Sequence, residues 1–239
     1  MYTYFKIRID KKGADKMDLK KDEILEELRS IFLNKTFDAL LPPIIYAVSN
    51  SIFGLIPAVF LAVAAALFNF SRRIIKKENW KYSLAGLIGV IFASSLAYLS
   101  DNASSYFIPA LTSSTLFLLA SIISIIIGRP LAAWASHLSR GWPLQWFWRD
   151  DIKPAYREVT IFWALYFALR LTIQLNLFFS DAVLNLAWVN IILGWPTIAV
   201  VLTISYLYGI WRLNNLGGPG VDEFKAEKEP PWDGQNRGF

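Results

Sequence analysis

Arg170 is the residue of this sequence best placed to do chemistry. It lies inside the apolar run Val159–Phe179, about 16 Å from either end at ~1.5 Å per residue, too deep for its side chain to reach the headgroups. Holding a guanidinium at mid-span costs about 2.5–3.5 kcal/mol on the translocon scale, so polar groups must compensate. Gln174 follows one helical turn later on the same face, and Asn176 lies near the far end of the run. No carboxylate falls well inside an apolar run: Asp38 and Glu158 stand at edges, and Asp101 and Asp181 lie between runs. In the last apolar run Pro196 cannot donate the hydrogen bond that the Ile192 carbonyl would accept, and Gly194 leaves room beside it. That break falls at nearly the depth of Arg170, with Asn185 and Asn190 close by in sequence. Two readings follow. In the first, Arg170 clamps the freed carbonyls and the asparagine amides. In the second, Arg170, Gln174, Asn176, Asn190, Gly194 and Pro196 form a cationic site for an anion or lipid headgroup in a water-lined cavity.

Other chemistry is scarce. The 239 residues include no cysteine and one histidine, which excludes thiol nucleophiles, disulfides, iron–sulfur sites and most histidine-based metal or haem sites. His137 has no second ligand near it in sequence. Asp150-Asp151 reads as a solvated turn before Pro154, not as an acid–base pair. The chain is therefore expected to be a non-enzyme, with no catalytic residue, metal or cofactor.

The elements that position these residues are membrane spans. Apolar residues make up 55% of the chain and charged residues 18%, against about 45–50% and about 25% in an ordinary globular domain. A span needs roughly 20 mostly apolar residues. Four segments qualify directly, near Tyr82–Leu99, Tyr106–Ile127, Val159–Phe179 and Leu186–Trp211. The stretch from Phe37 to Phe70 is too long for one span, and Ser49-Asn50-Ser51, Gly54 and Pro57 interrupt it. It reads as a hairpin of two spans, Phe37–Phe53 and Leu55–Phe70. Of the 24 lysines and arginines, all but Arg170 fall before the first span, in the second-to-third and fourth-to-fifth loops, or after the sixth span. The three opposite loops contain none. This one-sided pattern predicts an all-α bundle of six spans in three hairpins, with both termini cytoplasmic against an anionic inner leaflet. Nucleic acid is not implied.

Small residues recur four apart at Ala85, Gly89, Ala93 and Ala97, and again at Ala58, Ala62 and Ala66, giving faces for close packing within a bundle or between copies. Ser100-Asp101 and Ser180-Asp181 occupy equivalent outer positions, a weak internal repeat. Residues 1–36 form an N-terminal cytoplasmic segment. There Ile24, Leu25, Leu28, Ile31 and Phe32 define an amphipathic surface helix, and no signal-peptide core is seen. Residues 37–212 form the membrane domain. Its loop 128–157 carries Trp134, Trp142, Trp146, Phe147 and Trp148 and reads as an interfacial anchor. Residues 213–239, rich in glycine, proline and mixed charge, read as a flexible cytoplasmic tail.

Leu41-Pro42-Pro43, Gly128-Arg129-Pro130-Leu131, the run Phe167–Gln174 and Gly194-Trp195-Pro196 together resemble domain of unknown function 3159, a bacterial family of six-span membrane proteins. The likeness covers roughly Ala39 to Arg212. Arg129-Pro130-Leu131 and Trp188-Val189-Asn190 are more distantly similar to the intracellular septation protein A family, inner-membrane proteins linked to cell division and envelope maintenance. These resemblances imply a bacterial inner membrane and a non-enzymatic envelope or scaffold role, with another copy or an envelope protein as partner. The alternative is a small permease or channel for an anionic solute or lipid headgroup centred on Arg170.

Overall fold

The computed structural model describes residues 36–77, 80–235 and 238–239. The amphipathic helix expected before residue 36 lies outside them. Among the described residues the chain is helical throughout, with no strand: α1 Thr36–Phe53, α2 Leu55–Ile75, α3 Trp80–Ser100, α4 Ile108–Ile126, α5 Leu131–Arg140, α6 Leu144–Phe147, α7 Lys153–Phe179, α8 Val183–Ile192, α9 Trp195–Leu216 and α10 Val221–Lys225. A 3-10 turn, Ala103–Phe107, leads into α4. Five segments are long and apolar enough to cross a membrane: Leu55–Ile75, Trp80–Ser100, Ala103–Ile126, Lys153–Phe179 and Val183–Leu216. Large apolar side chains such as Phe60, Phe68 and Leu99 point outward from them. Apolar surface on this scale is stable only against lipid, and the chain is a multi-pass membrane protein. The first expected span corresponds to a shorter apolar helix, Leu40–Phe53.

Turns between the long helices follow from one device. Gly54 joins α1 to α2 with φ 83°, a left-handed conformation that glycine adopts without strain. Asp101 and Asp181 end α3 and α7 with φ 50° and 49°. After each, an amide reaches back five residues, Asn102 N–H to Ala97 O at 3.2 Å and Ala182 N–H to Leu177 O at 3.0 Å. Both are Schellman-type ends, which satisfy carbonyls that a helix terminus leaves open. The Ser-Asp pairs noted in the sequence thus share a turn geometry.

Alanines set the packing. Ala58 and Ala62 of α2 and Ala97 of α3 are fully buried, together with Tyr46, Tyr106 and Leu186, in a core that joins α1, α2, α3, the 3-10 turn and α8. Their small side chains let the backbones approach where lipid offers no hydrophobic drive. Tyr46 stacks on Tyr106, with ring centroids 3.9 Å apart, and donates to the Ala103 carbonyl at 2.8 Å. A second contact pairs α4 with α7, where Phe117 stacks on Phe167 at 5.0 Å.

Two expectations are corrected. The rings of loop 128–157 do not all lie free for a lipid interface. The loop folds into α5 and α6, and Trp142, Trp146 and Phe147 are buried with Ile152 and Tyr156 in a core of their own. The segment after α9 is not a loose tail. Leu213 and Val221 enter that same core, and the Trp146 indole donates to the Pro219 carbonyl at 2.8 Å. Glu223 clasps the segment, accepting from Lys228 Nζ at 2.8 Å and from the amides of Gly220, Asp233 and Gly234. These contacts, Lys228 first, lower its carboxyl to about 2, so it stays charged at neutral pH. The physical reason is aromatic area. Rings that would otherwise sit at headgroup level find partners within the chain and bury more surface there. Trp146→Ala should cost about 3–5 kcal/mol, and Trp146→Phe less, since it keeps one aromatic ring in the core while losing the bond to Pro219 and part of the indole area. Thermal unfolding in detergent measures this order.

Candidate functional site

Tyr166, Arg170 and Gln174 stand four residues apart on one face of α7. That face meets the last apolar segment where it breaks. The segment is two helices, not one kinked span: α8 ends at Ile192, and α9 begins at Trp195 after Gly194. Pro196 occupies the first turn of α9, where its missing N–H removes no helical bond. The carbonyls released at the break are not clamped by Arg170. Tyr166 donates its hydroxyl to the Leu193 carbonyl, and Thr197 Oγ1 donates to the Ile192 carbonyl at 2.7 Å. Both partners escaped the sequence reading. The four-residue spacing from Arg170 to Tyr166 was the available signal.

Asn190 is the hinge of the polar centre. Its Nδ2 donates to the Leu186 carbonyl at 2.8 Å. Its Oδ1 accepts from Gln174 Nε2 at 2.7 Å and, at a long 3.5 Å, from Arg170 Nη2. Gln174 is fully buried. Arg170 Nε and Gln174 Oε1 are both buried with no hydrogen-bond partner among the described residues, each a deficit of about 1–3 kcal/mol unless another group fills it. Of the expected site residues, Arg170, Gln174 and Asn190 come together, and Gly194 and Pro196 shape the break beside them. Asn176 and Asn185 are exposed and stand apart from the cluster.

Arg170 also forms part of the wall of a cavity of about 900 Å³. Its walls come from α4, α5, α7 and α9. Along α7 they run from Val159 to Arg170, and along α9 from Ile198 to Tyr206, so the space extends from the helix break toward α5. The lining is mostly apolar, with Phe117, Trp163, Phe167 and Leu202 among scattered hydroxyls. Several hydroxyls are already satisfied: Ser121 donates to the Phe117 carbonyl at 2.8 Å and Thr160 to the Tyr156 carbonyl at 2.7 Å. The Ser205 hydroxyl has no partner among the described residues. At the α5 end Arg140 lies over the Trp142 ring at 4.7 Å and near Tyr206 at 5.7 Å.

The remaining candidates are structural. His137 Nδ1 donates to the Trp142 carbonyl at 2.6 Å and holds the end of α5. In the Asp150-Asp151 pair, Asp151 accepts a two-pronged contact from Arg149 at 2.9 and 2.7 Å.

The family described as proteins of unknown function, DUF3159, matches residues 34–212. The chain belongs to this family. The DUF3159 region contains the whole polar centre, and the docked segment beyond residue 212 lies outside it. No curated protein and no solved structure matches the chain, and the likeness to septation proteins is not shown.

The break of this DUF3159 protein tolerates no added carbon. A Cβ at Gly194 would lie 2.5 Å from the Asn190 carbonyl oxygen, a backbone atom. Gly194→Ala should therefore cost about 1–3 kcal/mol. Gly89→Ala in α3, where the space is open, should instead stabilise by about 0.5–1 kcal/mol. Unfolding midpoints of the two variants check this contrast.

Proposed function

We propose that this DUF3159 protein is a six-span protein of a bacterial inner membrane, with α5, α6 and α10 on the cytoplasmic side, that binds an amphipathic anion in the cavity beside Arg170. The sidedness rests on charge. The turns joining α1 to α2, α3 to α4 and α7 to α8 hold no lysine or arginine, and basic residues gather at the opposite ends of the helices. The remaining span is α1, whose apolar part is Leu40–Phe53 and whose helix reaches back to Thr36.

The observation that carries the binding reading is the Arg170 side chain in the wall of a large apolar cavity, with no carboxylate paired to it among the described residues. The start of α9 adds to it. Broken helices at mid-membrane are where other membrane proteins meet polar substrate groups. An acidic group against Arg170 would neutralise it, and an alkyl portion would take the apolar space. The role is one of binding or transport without covalent chemistry. The scaffold role leaned on the septation likeness, and no feature of the fold favours it over binding.

Equilibrium binding of dodecyl phosphate to the full chain in lipid nanodiscs tests this. Arg170→Ala should weaken binding at least tenfold relative to the natural chain, Arg170→Lys should weaken it less, and dodecanol should show no Arg170-dependent binding. Equal dodecyl phosphate affinity in all three chains, each with an intact unfolding transition, would contradict it.

A further inference from the structure

The α5 end of the cavity is occupied by the protein's own aromatic side chain. Phe239 is one of the residues lining the cavity. Its ring stacks on Tyr156, with centroids 4.3 Å apart and planes 13° from parallel. The other side of the slot is Gly209 of α9. A Cβ at Gly209 would lie within 2.5 Å of three Phe239 ring carbons, so the ring occupies space that a side chain there would need. Ser205, whose hydroxyl faces no partner, lies one helical turn from Gly209 on the same face of α9.

Gly238 fixes the approach. It has φ 93°, in the left-handed region that glycine favours, and any side chain there would meet the Tyr206 hydroxyl and Arg140. Gln235 ties the approach to the rest of the segment. Its Nε2 donates to the Gly238 carbonyl at 3.0 Å, and its Oε1 accepts from the Val221 amide at 3.1 Å. Trp232 lies under the Arg149 guanidinium at 5.2 Å. The segment is thus held at several points, with one ring inserted in the cavity.

We infer that Phe239 is a stopper for the α5 end of the cavity, seated in the Tyr156–Gly209 slot, and that ligand passage at this end requires the ring to leave. The inference rests on the ligand reading of the cavity and assigns its regulation. The ring itself is seated by stacking and shape, while the Gln235–Gly238 bond, the Glu223 clasp and the Trp146–Pro219 bond hold the segment behind it. The ring can therefore withdraw without unfolding the aromatic core.

The absence of cysteine from the chain gives a direct test. Ser205→Cys places a single thiol in the cavity wall, and its rate of modification by an anionic methanethiosulfonate is read in the full chain in nanodiscs. Adding Phe239→Ala should raise the rate at least tenfold. Gly209→Ala, which expels the ring by filling its slot, should do the same, and Phe239→Tyr should leave the rate near that of Ser205→Cys alone. Equal rates in all four chains would overturn the stopper. A matching rise at a thiol introduced by Ser94→Cys, buried in α3 away from the cavity, would overturn it too, because it would mean general loosening. Dodecyl phosphate binding in the same chains separates the two readings. Faster modification without binding upholds the stopper and rejects the ligand class, and binding with an unchanged rate does the reverse.

Discussion

Hydrocarbon offers no water, so every polar group released inside it must find a partner in the protein. The polar centre of this molecule is governed by that constraint at one point, the break between α8 and α9. Ending one helix at Ile192 and starting another at Trp195 frees carbonyls that the bilayer cannot satisfy. Tyr166 and Thr197 take them. Asn190, held through its own amide to Leu186, offers its oxygen to Gln174 and, more distantly, to Arg170. The protein keeps a guanidinium at this depth by surrounding it with dipoles instead of a carboxylate. That choice leaves the positive charge uncancelled, which is the condition for receiving an anion.

The other end of the cavity obeys a different rule. There the aromatic residues of α5, α6 and the start of α7 form a compact core, closed by Leu213, Val221 and Phe239. Aromatic area is the dominant contribution, and the hydrogen bond from Trp146 to Pro219 makes the packing specific. The cavity lies between the two centres, and its two ends differ in chemistry. Charge acts at the helix break, and shape acts at the Tyr156–Gly209 slot.

Much of the spanning architecture is legible in the sequence because lipid imposes length and composition directly. Gly54 and its neighbours mark the first hairpin, and the Ser-Asp pairs mark two turns. The depth of Arg170 follows from counting residues, and Pro196 with Gly194 points to the break. The carbonyl partners were less legible. Tyr166 and Thr197 look like ordinary members of apolar helices until the break is seen in three dimensions. The segment after α9 was misjudged because its anchors are remote. Pro219 meets Trp146 across 73 residues, and Phe239 meets Tyr156 across the membrane domain's last two long helices. A local window of glycine, proline and charge carries no sign of either contact. Trp142, Trp146 and Phe147 were read as membrane anchors for the same reason, since composition reports that a ring must be buried but not what buries it.

Arg170 keeps its charge in the cavity wall without a carboxylate partner among the described residues, and an anion from outside the chain would complete it. An experimental density map of the lipid-embedded protein, resolved well enough to show ordered non-protein groups, tests it most directly. An anionic group should appear in the cavity against the Arg170 guanidinium. A cavity filled by lipid tails or closed by dry packing, with no anionic group against Arg170, would contradict the binding reading.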